Sequence, residues 1–157
     1  PALAVAPLNL VAACMECNKL KLDVCPATAG DTFLHPYFDD ISGDNWLTAD
    51  VIEQRPCAVV FDVDPPGSWG GTLSARMRHQ FELLKLAELY SREAAREISN
   101  IRYNLQRHFN AGGREAVRQE LRRQWQSRRV SRLNSWQTAT YKALSDSAWF
   151  CDKGFAY

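Results

Sequence analysis

From Thr72 onward apolar residues return every three or four positions, the spacing of a helix that buries one face. The sharpest break in that pattern is Asn110-Ala111-Gly112-Gly113, a strong helix-ending signal. More than half of the chain is therefore expected to be helical, in segments that turn back on one another. The first helix starts at Thr72 or Ser74 and reaches Leu86 or beyond, with Leu73, Met77, Phe81 and Leu84 on its buried face. A second runs from about Ser91 to His108, with Ala94, Ala95, Ile98, Ile101 and Leu105 on one side. A third covers Arg114 to about Arg128. A fourth runs from about Val130 or Asn134 to Leu144, with Trp136, Tyr141 and Leu144 as core. The apolar end, Trp149 to Phe155, is expected to fold back onto this bundle.

The first 66 residues read differently. Pro and Gly punctuate residues 24–32, and Phe33 to Ile41 is a compact aromatic turn. Trp46 to Glu53 has the rough alternation of a half-buried strand and Cys57 to Val63 is rich in β-branched residues, with Pro56 between them, so an antiparallel pair is the simplest arrangement. The expected fold is α+β: residues 1–66 as a small metal-site element with short strands, residues 67–157 as a helical domain, and a boundary near Pro65–Gly71.

Charge is divided unevenly. Residues 1–75 hold three basic and ten acidic residues, a net of −7, whereas residues 76–132 hold fourteen basic against six acidic, a net of +8. Such asymmetry suggests a polyanion partner for the basic half, and equally fits a solvated helix face laced with pairs such as Glu88 with Arg92 and Glu93 with Arg96. No apolar run approaches the ~20 residues of a membrane span, so no membrane partner is expected. The opening Pro1-Ala2-Leu3-Ala4-Val5-Ala6-Pro7 lacks the charged start of a signal peptide. An odd count of five cysteines, two of them spaced as metal ligands, points to the reducing cytoplasm rather than to a disulfide framework. Cys25, Cys57 and Cys151 are expected to be mostly buried thiols.

The chemistry concentrates near the start, in Asn9-Leu10-Val11-Ala12-Ala13-Cys14-Met15-Glu16-Cys17-Asn18-Lys19-Leu20-Lys21. Two thiolates cannot close a tetrahedral zinc site and need two further ligands. Asn18 offers a neutral oxygen of the kind that accompanies carboxylates on Mg²⁺-like ions. Taken alone, the cysteines are also compatible with a reduced thiol pair at a helix start, and Asn9 with a turn residue.

The order Asn, then Cys-x-x-Cys-Asn-x-x-Lys, resembles the second half of the HNH endonuclease motif. In that family a β-hairpin and a helix hold one divalent metal beside a His that activates water. The resemblance implies that Asn9 is the middle Asn that steadies the catalytic His. It makes Asn18 the third position, a catalytic and metal-binding residue. Cys14 and Cys17 become the second pair of a structural Zn²⁺ site, and Lys21 a phosphate contact. It implies DNA as substrate, Mg²⁺ or Mn²⁺ at the active site, and a catalytic His and a first Cys pair just before Pro1. On that reading the chain is the C-terminal portion of the nuclease and by itself does not cut. His35-Pro36-Tyr37-Phe38-Asp39-Asp40, Leu133-Asn134-Ser135-Trp136 and Trp149-Phe150-Cys151 resemble phage-defence HNH proteins of the Septu type, which work beside an ATPase. Arg118 and Arg122, with their arginine neighbours, would suit phosphate backbone contact or simply a charged helix face. His35 lies on the wrong side of the motif to be its base and is expected to fix a turn. His79 and His108 are expected in structural roles, and Asp39, Asp40, Asp62 and Asp64 as solvated turn acids. The alternative is a non-catalytic helical module that docks a partner protein such as an ATPase subunit.

Overall fold

The computed structural model describes residues 13–21 and 25–156. It is an α+β chain whose elements fall into two compact units, each assembled from two chain segments. The first comprises 1–41 and 67–85, the second 42–66 and 86–157. One changeover falls at Pro66–Gly67, where the sequence also changes character; the others follow Ile41 and Lys85.

In the first unit, α1 (Met15–Lys21) is a short helix with no buried residue. The principal helix is α2 (Gly71–Leu83). It starts after Gly70, a turn earlier than Ser74 would have set it, and buries Met77 and Phe81. Leu73 and Leu84 are half-buried. Lys85, at φ 49°, ends the segment. A single 3₁₀ turn at Ala29–Asp31 packs on α2. Gly30 permits this approach: a Cβ there would sit 3.2 Å from that of Ala75.

The second unit begins with a hairpin of β1 (Leu47–Ile52) and β2 (Ala58–Val63). They pair antiparallel from Leu47↔Val63 to Ile52↔Ala58, the arrangement expected of two strands so close in sequence. Leu47, Val59, Phe61 and Val63 are buried, while Val60 and Asp62 point out. β2 packs on α3 (Leu86–Ser131) and β1 on α4 (Trp136–Asp146). Phe61 meets Tyr90 edge to face at 5.6 Å.

α3 is two helical arms, not one rod. Gly112 (φ −157°, ψ 21°) and Gly113 (φ 64°, ψ −157°) leave helical geometry where the sequence set its break. A straight helix would hold residues 97 and 128 roughly 46 Å apart, yet Arg128 Nη2 lies 3.5 Å from Glu97 Oε1. His108 likewise faces Glu120 at 3.8 Å. Both pairs straddle the glycines, so the arms fold back as a hairpin. Their shared core is Ala94, Ile98, Leu105, Val117 and Leu121. Ala95, expected on that face, is exposed, and Ile101 is half-buried.

α4 closes the hairpin. Ser135 caps it by accepting the Thr138 N–H at 3.1 Å. Tyr141 and Leu144 are buried as expected, and Trp136 is half-buried. The buried Tyr141 hydroxyl donates to Glu97 Oε1 at 2.7 Å, and the Arg128 guanidinium lies over its ring. Burial, reinforced by Glu97, pushes the Tyr141 phenol pKa upward. The chain end folds back through α5 (Ala148–Cys151), and Phe150, Cys151 and Phe155 are buried. Among the described residues no helix is long and apolar enough to cross a membrane.

Candidate functional site

The thiol pair sits at the start of α1. Cys14 immediately precedes the helix, and its carbonyl accepts the Asn18 N–H at 2.9 Å. Its Sγ accepts the Cys17 N–H at 3.3 Å. That backbone donation, with further bonding to Cys17, lowers the Cys14 pKa and favours its thiolate. Cys17 is shifted upward, chiefly by burial. Thiolate is the form a metal takes, so the turn presents one sulfur prepared for a cation and a second one turn on. Two thiolates supply at most two of the four ligands that a tetrahedral zinc site needs. Among the described residues no group of three or more His, Cys, Asp or Glu is placed to hold a metal. Cys25 is exposed rather than buried and does not complete such a group. Cys57 and Cys151 are the buried thiols expected, and burial raises both of their pKa values.

Asn18 follows Cys17 on α1 and is exposed. Lys21, in the last turn, lies with Nζ 5.0 Å over the Phe33 ring. Asn9 lies outside the described residues. Arg118 and Arg122 belong to the second arm of α3, in the other compact unit.

The segment after α1 is built by contacts that sequence reading missed. Arg76, from α2, grips Asp39 with two bonds, Nη1 to Oδ1 at 2.9 Å and Nη2 to Oδ2 at 2.7 Å. It also donates to the carbonyls of Phe33 at 2.6 Å and Thr32 at 3.3 Å. Asp39 in turn accepts the His35 N–H at 2.7 Å. Asp39 is therefore no solvated turn acid: the Arg76 hydrogen bonds hold its carboxyl below the usual range. Gln80 adds a bond from the Leu34 N–H at 2.9 Å. His35 makes the expected turn, its carbonyl accepting the N–H groups of Phe38 and Asp39 and its ring stacked on Phe38 at 4.6 Å. Asp39 and Arg76 stand 37 positions apart, and no local pattern links them.

A second unforeseen clamp lies in the other unit. Asn134 Oδ1 accepts the N–H groups of Trp46 at 2.9 Å and Leu47 at 3.3 Å, while its Nδ2 donates to the Asp44 carbonyl at 2.7 Å. One amide side chain thus fixes the start of β1 beside the start of α4. This gives Leu133-Asn134-Ser135-Trp136 a structural role.

The fold and this site together define an α+β chain with a metal-competent thiol pair at a helix start. Protein ea31 of Escherichia phage lambda is 34% identical to it over 104 residues, 64% of this chain and 35% of that protein. The chain thus spans about a third of the length of the curated relative it matches. No protein-family description and no solved structure matches it.

Proposed function

We propose that this chain carries the C-terminal portion of an HNH-type, metal-dependent DNA endonuclease that acts against foreign DNA. The observation that carries the reading is the start of α1. There, a Cys14 sulfur accepts the Cys17 N–H and the very next residue is the exposed Asn18. This is the order in which the HNH motif sets its second zinc pair and its last metal-binding residue. Cys14 and Cys17 would hold half of a structural Zn²⁺, which ties the start of α1 to preceding chain. Asn18 would offer its side-chain oxygen to Mg²⁺ or Mn²⁺, and Asn9 would steady a histidine from the same preceding segment. When bound, such an ion stabilises negative charge on the scissile phosphate and leaving oxygen. The Arg76–Asp39 clamp supports the site by fixing the 32–39 segment on α2.

The test is plasmid cleavage by the longer gene product, with and without Asn18→Ala, in Mg²⁺ or Mn²⁺. Loss of cutting in a folded Asn18→Ala protein is expected. Undiminished cutting by that variant overturns the assignment of Asn18. The alternative, a non-catalytic module that docks an ATPase subunit, draws support from Tyr103 (77% exposed) and Val130 (89% exposed), two large apolar side chains left on the outside of α3. It predicts a protein that never cuts but binds that partner.

A further inference from the structure

The second arm of α3 holds six arginines and two glutamates, and Arg132 follows directly, its N–H still donating to the Arg128 carbonyl at 2.8 Å. At 100° per residue, Arg114, Arg118, Arg122, Trp125, Arg129 and Arg132 fall within an arc of about 80°. They run roughly 27 Å along the helix, about eight base-pair steps of duplex DNA. The acids lie off this stripe: Glu120 is on the opposite flank and pairs with Arg123 at 2.8 Å, and Glu115 sits at its edge and pairs with Arg118 at 3.2 Å. Arg114, Arg122, Arg129 and Arg132 are exposed and, among the described residues, have no carboxylate partner.

Trp125, half-buried at the middle of the stripe, braces two cations. The Arg129 guanidinium and Lys142 Nζ, from α4, each lie 5.5 Å from its ring. Such contacts hold a long cationic side chain in place without neutralising it. Four guanidinium groups without carboxylate partners, lined up along one helix edge, repel one another, and a polyanion relieves that repulsion. A single aromatic, already flanked by cations, is not the row of stacking platforms that single strands use.

We propose that this face, Arg114–Arg118–Arg122–Arg129–Arg132 around Trp125, is a track for the phosphate backbone of duplex DNA, read without regard to sequence. The choice of DNA rests on the nuclease reading above; the track itself is separate from the α1 site.

The experiment measures binding, not cutting, of a labelled 20-base-pair duplex by the 157-residue chain at 50 to 200 mM salt. Four unpaired arginines predict a log–log salt slope of about −3.6, a loss of about 150-fold in affinity across that range. Arg122→Gln with Arg129→Gln halves the slope, leaving a loss of about 12-fold. Arg114→Gln with Arg132→Gln is expected to do the same from the two ends. Arg96→Gln with Arg107→Gln removes equal charge from the first arm and leaves the slope unchanged. Salt-independent binding by the wild type overturns the proposal. So does a slope shared by wild type and both stripe variants, or tighter binding to the single strand than to the duplex. A chain that binds as predicted while its longer parent never cuts retains the track and loses the nuclease reading.

Discussion

Gly113 can be tested more sharply than any other residue of the hairpin. Its φ of 64° with ψ of −157° is a backbone conformation essentially confined to glycine. A Cβ built there meets nothing within 4 Å, so Gly113→Ala introduces no clash and its cost is conformational alone. Holding an L-residue in such a region costs about 1–3 kcal/mol, which in a chain of this size lowers Tm by about 2–4 °C per kcal/mol. Gly113→Ala is therefore expected to lower the melting temperature by roughly 4–8 °C at the middle of that range. Gly113→Asn should do no better, because the ψ value lies far from the left-handed helical region in which Asn is tolerated. The assay is urea and thermal unfolding followed by circular dichroism at 222 nm, where α3 to α5 supply most of the helical signal. An unchanged midpoint in Gly113→Ala, or rescue by Asn relative to Ala, would refute this account of how the arms turn back.

Other consequences follow from named contacts. Because the Arg76 hydrogen bonds depress the folded pKa of Asp39, their stabilisation is complete above the unfolded value near about pH 4 and is lost as pH falls through the folded one. Wild type should thus lose more stability on acidification from pH 5 to 2 than Asp39→Asn does, and equal losses would remove the clamp from the account. Asn134→Ala abandons three backbone partners and is expected to cost about 1–3 kcal/mol, read as a shifted urea midpoint; a neutral result would mean that water replaces the amide. Toward a thiol reagent at neutral pH, Cys14 should react fastest and Cys57 and Cys151 only on unfolding, and mass-spectrometric mapping that finds the buried pair labelled first would contradict the burial assigned to them.

Most of the fold was legible because its signals are local. The β-branched run of Cys57 to Val63 gave β2, and Gly112–Gly113 marked the break between the arms of α3, whereas α4, expected from about Val130 or Asn134, begins at Trp136. Edges were less legible: α2 begins at Gly71, since Gly70 can take the extended conformation before a helix as readily as Thr72 or Ser74 could cap one. Arg92 lies by Glu93 rather than reaching the anticipated Glu88. The long-range clamps within each unit were not legible at all. Arg76–Asp39 and Asn134 with Trp46 join residues 37 and 88 positions apart, and their strength comes from geometry formed only after the helices pack. At the candidate site, spacing alone foretold that Cys14 and Cys17 share one turn. It did not foretell the N–H bond that makes their two sulfurs unequal.

The central claim is that Asn18, one residue past the thiol pair, belongs to a nuclease metal site. Its most direct test is supercoiled-plasmid cleavage by the longer gene product in Mg²⁺ or Mn²⁺, compared with an Asn18→Ala protein of matched thermal stability. The account predicts cutting by the first and none by the second. Cutting that survives the substitution, or a longer protein that binds DNA and never cuts it, would contradict it.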